Sequence, residues 1–488
     1  MRTSQSHPLQ IAAVSAGPGM GRIGITFCPG KKQPTAMTGG WDRDVCIDID
    51  AIAAWGASAV VTLIEDHEIS SLKVEALGDT VRSRHMDWLH LPIPDVSTPC
   101  SRFEQEWGSI GEGLRARLRN SFDIVVHCKG GLGRAGTIAA RLLIELGATP
   151  DDAIAQVRRV RPGAIETSGQ EKYVRGLKTI SEHPPLTTPD AIADRAQGAL
   201  LGLAIGDAVG TTLEFKARDS YPMLTDMTGG GPFRLKAGEW TDDTAMALAL
   251  ADSLASETFD EADLMRRFVA WHERGEYSCT GTCFDIGVTT REALSRFKRS
   301  GNPIAGSTDP MSAGNGSLMR LSPVAVRYWQ DRATLRDVAA RQSKTTHAAP
   351  EAVDACIAYA EVLADAISGM PRSEVLRPRS GYAGSIEAIM QGSWRGKRRS
   401  EIKSSGYVAH SLEAALWCVG RTSDYRSAVL LAANLGDDAD TTAAIVGQLA
   451  GALYGLSGIA NEWQQRVAWA PRILTTALAL AKGSRVSS

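Results

Sequence analysis

The pattern of apolar and polar positions changes character near residue 185. Before it, short apolar runs rich in β-branched residues alternate with helical stretches. Ala59-Val-Val-Thr-Leu63 and Asp123-Ile-Val-Val126 predict buried strands. Helical spacing runs through Asp48 to Trp55, Glu104 to Leu118, Thr137 to Leu146 and Ala153 to Val160. The alternation predicts an α/β domain with a central sheet over residues 1–182. His183-Pro-Pro-Leu-Thr-Thr-Pro189 then places three prolines in seven residues, a stiff extended connector over 183–189. From 190 to 488 helical periodicity dominates and strand signals almost vanish, which predicts an all-α domain. Gly198, Gly202, Gly206 and Gly210 recur every four residues, and Gly447, Gly451 and Gly455 repeat the device. A glycine inside a helix costs up to about 1 kcal/mol, so the regular stripe implies two closely packed helices near the centre of that domain.

Composition narrows the function classes. A chain of 488 residues exceeds one ordinary core, in keeping with two domains. A net charge of −2 gives no general pull toward nucleic acid or anionic membrane, although a nucleic-acid adduct stays open as a substrate. No run of about 18 apolar residues occurs, so no membrane span is expected. Met1 to Gln10 is polar and lacks the apolar stretch of a secretory signal. The eight cysteines are scattered rather than spaced as a disulfide framework, and a cytoplasmic location is expected.

Two acidic knots stand out. Gly436-Asp-Asp-Ala-Asp-Thr-Thr442 precedes the apolar run Ala443 to Tyr454, and Thr241-Asp242-Asp243-Thr244 opens another, Ala245 to Leu254. Taken singly, aspartates at a helix start are read as N-caps favoured by the dipole. Taken together, two Thr/Asp knots that face each other offer the hard oxygen donors that magnesium takes. Between them lie Glu214, a candidate acid/base, and Gly314-Asn315-Gly316-Ser317, a turn whose N–H groups suit a diphosphate. His347 and Tyr407 each precede an apolar helical run. Cys279 and Cys283 lack a second thiol pair, which argues against zinc.

The first domain carries its own signal. At the end of the Asp123 strand, His127-Cys128-Lys-Gly-Gly-Leu-Gly-Arg134-Ala-Gly-Thr137 joins strand to helix. Gly131, Gly133 and Gly136 satisfy G-x-G-x-x-G, but no second strand follows where a dinucleotide fold needs one. The better reading takes Cys128 as nucleophile and Arg134 as a bidentate fork for phosphoryl oxygens, with inward N–H groups forming an anion nest. A helix N-terminus favours the thiolate, the form in which cysteine attacks. Asp95, in Leu91-Pro-Ile-Pro-Asp95, is the candidate acid for the leaving oxygen, and Gln170 the candidate amide for orienting water.

His127 to Gly136, Pro94-Asp95 and Arg161 to Gln170 resemble the cysteine-dependent protein phosphatases, most of all the dual-specificity branch with the cyclin-dependent kinase inhibitor 3-like enzymes. That resemblance implies Cys128 as nucleophile, Arg134 on phosphate, Asp95 as general acid and Gln170 on water. The branch usually has Ser or Thr after the arginine, where this chain has Ala135. Slow turnover, or a domain that only recruits phosphorylated partners, follows from that departure.

Gly206-Asp-Ala-Val-Gly210 with Glu214, Glu239-Trp-Thr-Asp-Asp-Thr244, Gly314-Asn-Gly316 with Arg320, Thr346-His347, Gly406-Tyr-Val408 and Asp438-Ala-Asp-Thr441 resemble the ADP-ribosylglycohydrolases, in particular the dinitrogenase reductase-activating glycohydrolases. The resemblance implies that Thr241, Asp242, Asp243, Asp438, Asp440 and Thr441 ligate two magnesium (or manganese) ions, with Asp243 also catalytic. It places Glu214 beside the scissile bond, and Asn315 with its loop, His347 and Tyr407 on ADP-ribose. Asp437 stands where that family commonly has glycine. The expected whole is a bifunctional hydrolase of ADP-ribosylated protein and phosphorylated substrate. A nucleotide sensor that binds ADP-ribose without cleaving it is the other class.

Overall fold

A computed structural model describes residues 1–36 and 39–483. The chain divides into two compact units, Met1–Glu182 and His183–Ser488.

The first unit is α/β. Its strands are β1 (Ala12–Ser15), β2 (Arg22–Phe27), β3 (Lys32–Gln33), β4 (Trp41–Asp42), β5 (Ala57–Thr62), β6 (Asp87–His90) and β7 (Asp123–Cys128). Five form one sheet in the order β1-β2-β7-β5-β6, parallel except for the β1–β2 edge, while β3 and β4 pair separately. The central strands read as continuous apolar runs because helices cover both faces. Val61, Ile124 and Val126 pack under Ile138, Leu142 and Trp107 on one side, and Val60 and Val125 under Ile49, Ile52 and Leu77 on the other. The helix Gly133–Glu145 follows β7 and leads into the helix Pro150–Val160.

The second unit is helical, with no strand among its described residues. The helices Pro189–Gly210 and Ala439–Tyr454 lie against each other along their glycines. A Cβ on Gly206 would overlap the carbonyl of Ala443, and one on Gly451 the carbonyl of Gly198. Both helices are therefore buried almost all round, which explains why neither is amphipathic in sequence. Their contact brings Asp207 near the start of the second helix. The apolar stretch Leu318 to Val326 is divided: helix begins only at Ser322, with Pro323 in the first turn, where its missing N–H costs nothing.

Candidate functional sites

The helix Asp242–Ser253 and the helix Ala439–Tyr454 both begin at the acidic knots, yet neither N-cap side chain takes a helix N–H. Of the knot aspartates Asp440 takes one, its Oδ1 accepting from the Thr441 N–H at 2.6 Å. Asp207 supplies the first cap from the glycine-striped helix. Its Oδ1 accepts from the N–H and hydroxyl of Thr241, each at 2.9 Å, and its Oδ2 from the N–H and hydroxyl of Thr244 at 3.0 and 2.6 Å. Glu214 supplies the second, its Oε2 accepting from the N–H groups of Ala439 and Asp440 at 2.7 and 3.2 Å. The expected helix-capping role thus falls largely to carboxylates outside the knots. That frees Asp242, Asp243, Asp438 and Asp440 to face one another.

Carboxylate oxygens of Asp207, Asp243 and Asp440 lie within 4.8 Å of one another, as do those of Glu214, Asp438 and Asp440. Asp440 belongs to both groups. The Thr241 hydroxyl lies 3.2 Å from both Asp243 and Asp440, and that of Thr441 3.4 Å from Asp243. Burial, then repulsion from Asp440, pushes the carboxyls of Asp207 and Asp438 up to about 7. Asp242 and Asp243 stand well above the usual carboxylate range, from burial first and neighbouring carboxylates second. Glu214 is raised in the same way, with Asp440 the strongest neighbour. Asp243 Oδ1 is buried with no hydrogen-bond partner. A crowded set of hard oxygen donors with an orphaned buried carboxylate oxygen fits divalent cations and is poorly explained without them.

Above the cluster opens a cavity of about 730 Å³, lined by Glu214, Asp242, Asp438, Asp440 and Thr441 and by Gly314, Asn315, Gly316 and His347. Asn315 Nδ2 donates to Asp438 Oδ2 at 2.6 Å and to the Ser411 hydroxyl at 2.8 Å. The N–H groups of Gly314 and Asn315 are taken by the carbonyls of Ser312 and Gly406, so the Gly316 end of the turn is what remains for a ligand. His347 packs against Gly314 and Gly316, where side chains would collide with its ring. Burial and the nearby Arg320 hold its imidazole neutral, its pKa lowered to about 3. Arg320 is itself buried beneath the turn, donating to Gln342, Thr345 and Thr346.

Other expected residues stand elsewhere. Ser317 is wholly buried, its hydroxyl 2.8 Å from that of Ser343 rather than in the cavity. Tyr407 is outside the cavity lining, its hydroxyl bonded to Glu351. Two further carboxylates, Asp207 buried below the cavity and Asp285 in its lining, were given no role in the sequence reading. Asp207 was hidden as one polar residue in a glycine-striped apolar helix, and Asp285 sits in a loop with no periodicity; both repel Asp440. A lone aspartate inside an otherwise apolar helix was the available signal for the first.

In the α/β unit, β7 ends at Cys128 and Arg134 lies in the first turn of the following helix. Gly131 turns the loop at φ 71°, packed against the backbone of Thr26, and its N–H points at Cys128 Sγ at 3.2 Å. Arg161 fastens the loop through the carbonyls of Gly131 and Gly130 at 2.9 and 3.1 Å. The Arg134 fork is already gripped by Glu68, at 2.5 and 2.9 Å, and its Nη2 meets Asp95 at 2.9 Å. Glu68 was missed in the sequence; in the structure it also closes a capping box at the start of the helix Asp66–Ser71. Gln170 is buried, its Oε1 accepting from the N–H groups of Glu166 and Thr167 and its Nε2 donating to the Ser97 carbonyl. Its amide holds two loops together. Ala135 is fully buried behind the loop.

Residues 188–487 match the sequence profile of the ADP-ribosylglycohydrolase family. The chain belongs to that family. Residues 33–174 match the profile of the DSP-PTPase phosphatase domain of Swiss Army Knife proteins. The glycohydrolase part is similar to the ADP-ribosylarginine hydrolase Tri1 of Pseudomonas putida (strain GB-1), 50% identical over 288 residues, 59% of this chain and 77% of the relative. The protein of the same description from Serratia proteamaculans (strain 568) is 44% identical, covering 63% and 84%. A solved structure described as an ADP-ribosylglycohydrolase-related protein complex aligns at TM-score 0.54 and 37% identity, covering 61% of this chain and all of that one. The protein is therefore an ADP-ribosylhydrolase-family enzyme fused to a dual-specificity phosphatase domain.

Proposed function

We propose that the helical unit cleaves the glycosidic bond between ADP-ribose and a protein arginine with two magnesium ions (manganese as substitute). The observation that carries this reading is the pair of carboxylate triads sharing Asp440 on the floor of a 730 Å³ cavity. Asp207, Asp243 and Asp440 would hold one ion and Asp438 and Asp440 the other, with Glu214 beside it. The Thr241 and Thr441 hydroxyls and Asp242 would complete the surroundings. Divalent ions so held bind ribose hydroxyls and acidify a water. Glu214 keeps Oε2 on the backbone of Ala439 and Asp440, which leaves Oε1 to move a proton at the scissile bond. Asn315 fixes Asp438, and the Gly316 end of the turn with neutral His347 takes the diphosphate side of the ligand. The arginine linkage is the one named in the relatives from Pseudomonas putida and Serratia proteamaculans.

The test is release of ADP-ribose from arginine-ADP-ribosylated protein, with magnesium and with EDTA, in the wild type and in Asp438→Ala/Asp440→Ala. Metal-dependent release that disappears in the double variant is expected. Release that survives EDTA, or survives in the variant, would refute the binuclear reading.

For the α/β unit we infer phosphomonoester hydrolysis through Cys128, with Asp95 protonating the leaving oxygen. A second reading, a phosphate-binding domain that turns over little, draws on Ala135 and on the Arg134 fork engaged by Glu68. Steady release of phosphate from an aryl phosphate favours the first; a single burst per chain favours the second.

A further inference from the structure

Three non-glycine residues of the cavity lining carry left-handed backbone: Phe215 at φ 60°, Asp285 at φ 60° and Asp437 at φ 56°. Such conformations persist where the surroundings impose them, and they concentrate at functional sites. Phe215 and Asp437 impose them on each other. The Phe215 N–H donates to the Asp437 carbonyl at 2.8 Å, and the Asp437 N–H to the Lys216 carbonyl at 2.7 Å. These bonds place the residue that follows Glu214 beside the residue that precedes Asp438. Phe215 remains 67% exposed. It meets Phe233 edge-on at 6.3 Å, and Phe233 leans on Phe284 at 5.2 Å, so the ring is braced from behind without being covered. The Asp437 carboxylate is also exposed. Core packing explains neither side chain.

We propose that Phe215 and Asp437 form a subsite for the guanidinium group of arginine-linked ADP-ribose. The inference rests on the reading of the helical unit as an arginine-directed hydrolase. In that reading the bond to be cut lies between Glu214 and the Asp438/Asp440 carboxylates, so the atoms just beyond it meet residues 215 and 437. A planar cation stacks on an open aromatic face, and its N–H groups donate to the carboxylate. In the reaction the C1″–N bond breaks, the hydroxide of water adds to C1″, and the remaining proton goes to the departing nitrogen. The guanidinium therefore stays cationic before and after cleavage, and the subsite serves binding and selection. A serine-linked O-glycoside carries no charge at this place and gains neither contact.

The test compares Phe215→Leu, Phe215→Tyr and Asp437→Gly with wild type. The readouts are kcat and KM on arginine-linked and serine-linked ADP-ribosyl peptides, and the affinity for free ADP-ribose with magnesium. Glycine suits φ 56°, so Asp437→Gly removes the carboxylate at a backbone it tolerates. Phe215→Leu and Asp437→Gly are expected to lower kcat/KM for the arginine linkage about five- to thirtyfold, through KM. Free ADP-ribose affinity is expected to hold within about twofold, and Phe215→Tyr to behave as wild type. Unchanged arginine kinetics in an active wild-type background would overturn the subsite alone. An equal loss of free ADP-ribose affinity would mean the pair holds the nucleotide and would also overturn it. A wild type inactive on arginine linkages but active on another would overturn both the subsite and the reading beneath it.

Discussion

Asp207 lies in the interior of an apolar helix and spends both oxygens on two threonines 34 and 37 residues away. Replacing it with alanine strands four buried donors, and each unsatisfied group costs about 1–3 kcal/mol. Relief of repulsion with Asp440 offsets part of that loss. A net destabilisation of about 2–4 kcal/mol is expected for Asp207→Ala by denaturant unfolding. The magnesium response of the melting temperature should weaken at the same time. At the other site, Ala135→Ser restores a hydroxyl where the phosphatase branch usually has one. If phosphocysteine breakdown limits turnover, the steady-state rate after the burst rises while the burst amplitude stays near one phosphate per chain. A residue was legible in the sequence when its motif was local: Cys128 with Arg134, or Asp438 with Asp440. Asp207, Asp285 and Glu68 were not, because each acts on a motif distant from it in the chain.

Among the elements, the two glycine-striped helices set the position of both acidic knots. The spacing of four predicted their close approach, and a Cβ at Gly198, Gly202, Gly206, Gly210, Gly447 or Gly451 would strike a carbonyl of the partner helix, whereas Gly455 lies past the helix end against the Asp194 carboxylate. Gly206→Val forces a branched side chain into the Ala443 backbone, which cannot move without carrying Asp440 with it. A loss of at least about 2 kcal/mol is expected, together with loss of activity, as overpacking at a helix contact requires. Gly108→Ala, at an open position, serves as the control and should cost little. Strands were less readable than helices. β5 and β7 are continuous apolar runs, but β6 is short and only half-buried at the sheet edge, and β2 is interrupted by Gly24. Edge strands carry weak patterns because one side is never buried.

Among the described residues two histidines are buried and held neutral, one in each unit. Burial lowers the pKa of His127 and of His347 to about 3. An unfolded chain takes up these protons near pH 6.5, whereas the native chain resists until about 3, so U binds more protons across that window. Stability is therefore full above about pH 6.5 and falls as the pH drops toward 3. Substituting His127→Gln should flatten the acid limb of unfolding followed by near-UV signals of the α/β unit. On the two-ion reading proposed for the other unit, magnesium at one hundred times its dissociation constant should add about 2.7 kcal/mol to the native state, and EDTA should remove it. No helix among the described residues is long and apolar enough to cross a membrane.

Glu214 caps a helix that begins 225 residues later, and the Thr241 hydroxyl reaches Asp440 across 199 residues. The helix at Ala439 has no finished first turn until Glu214 has arrived from 225 residues earlier, and the helix at Asp242 waits on Asp207, 34 residues earlier. The catalytic floor therefore cannot nucleate locally. It closes only after long loops have been paid out in entropy, the situation that slows folding most. Cation binding is then a report on completed assembly: during refolding from denaturant, the magnesium-dependent signal should appear in the last kinetic phase, after helical signal has saturated.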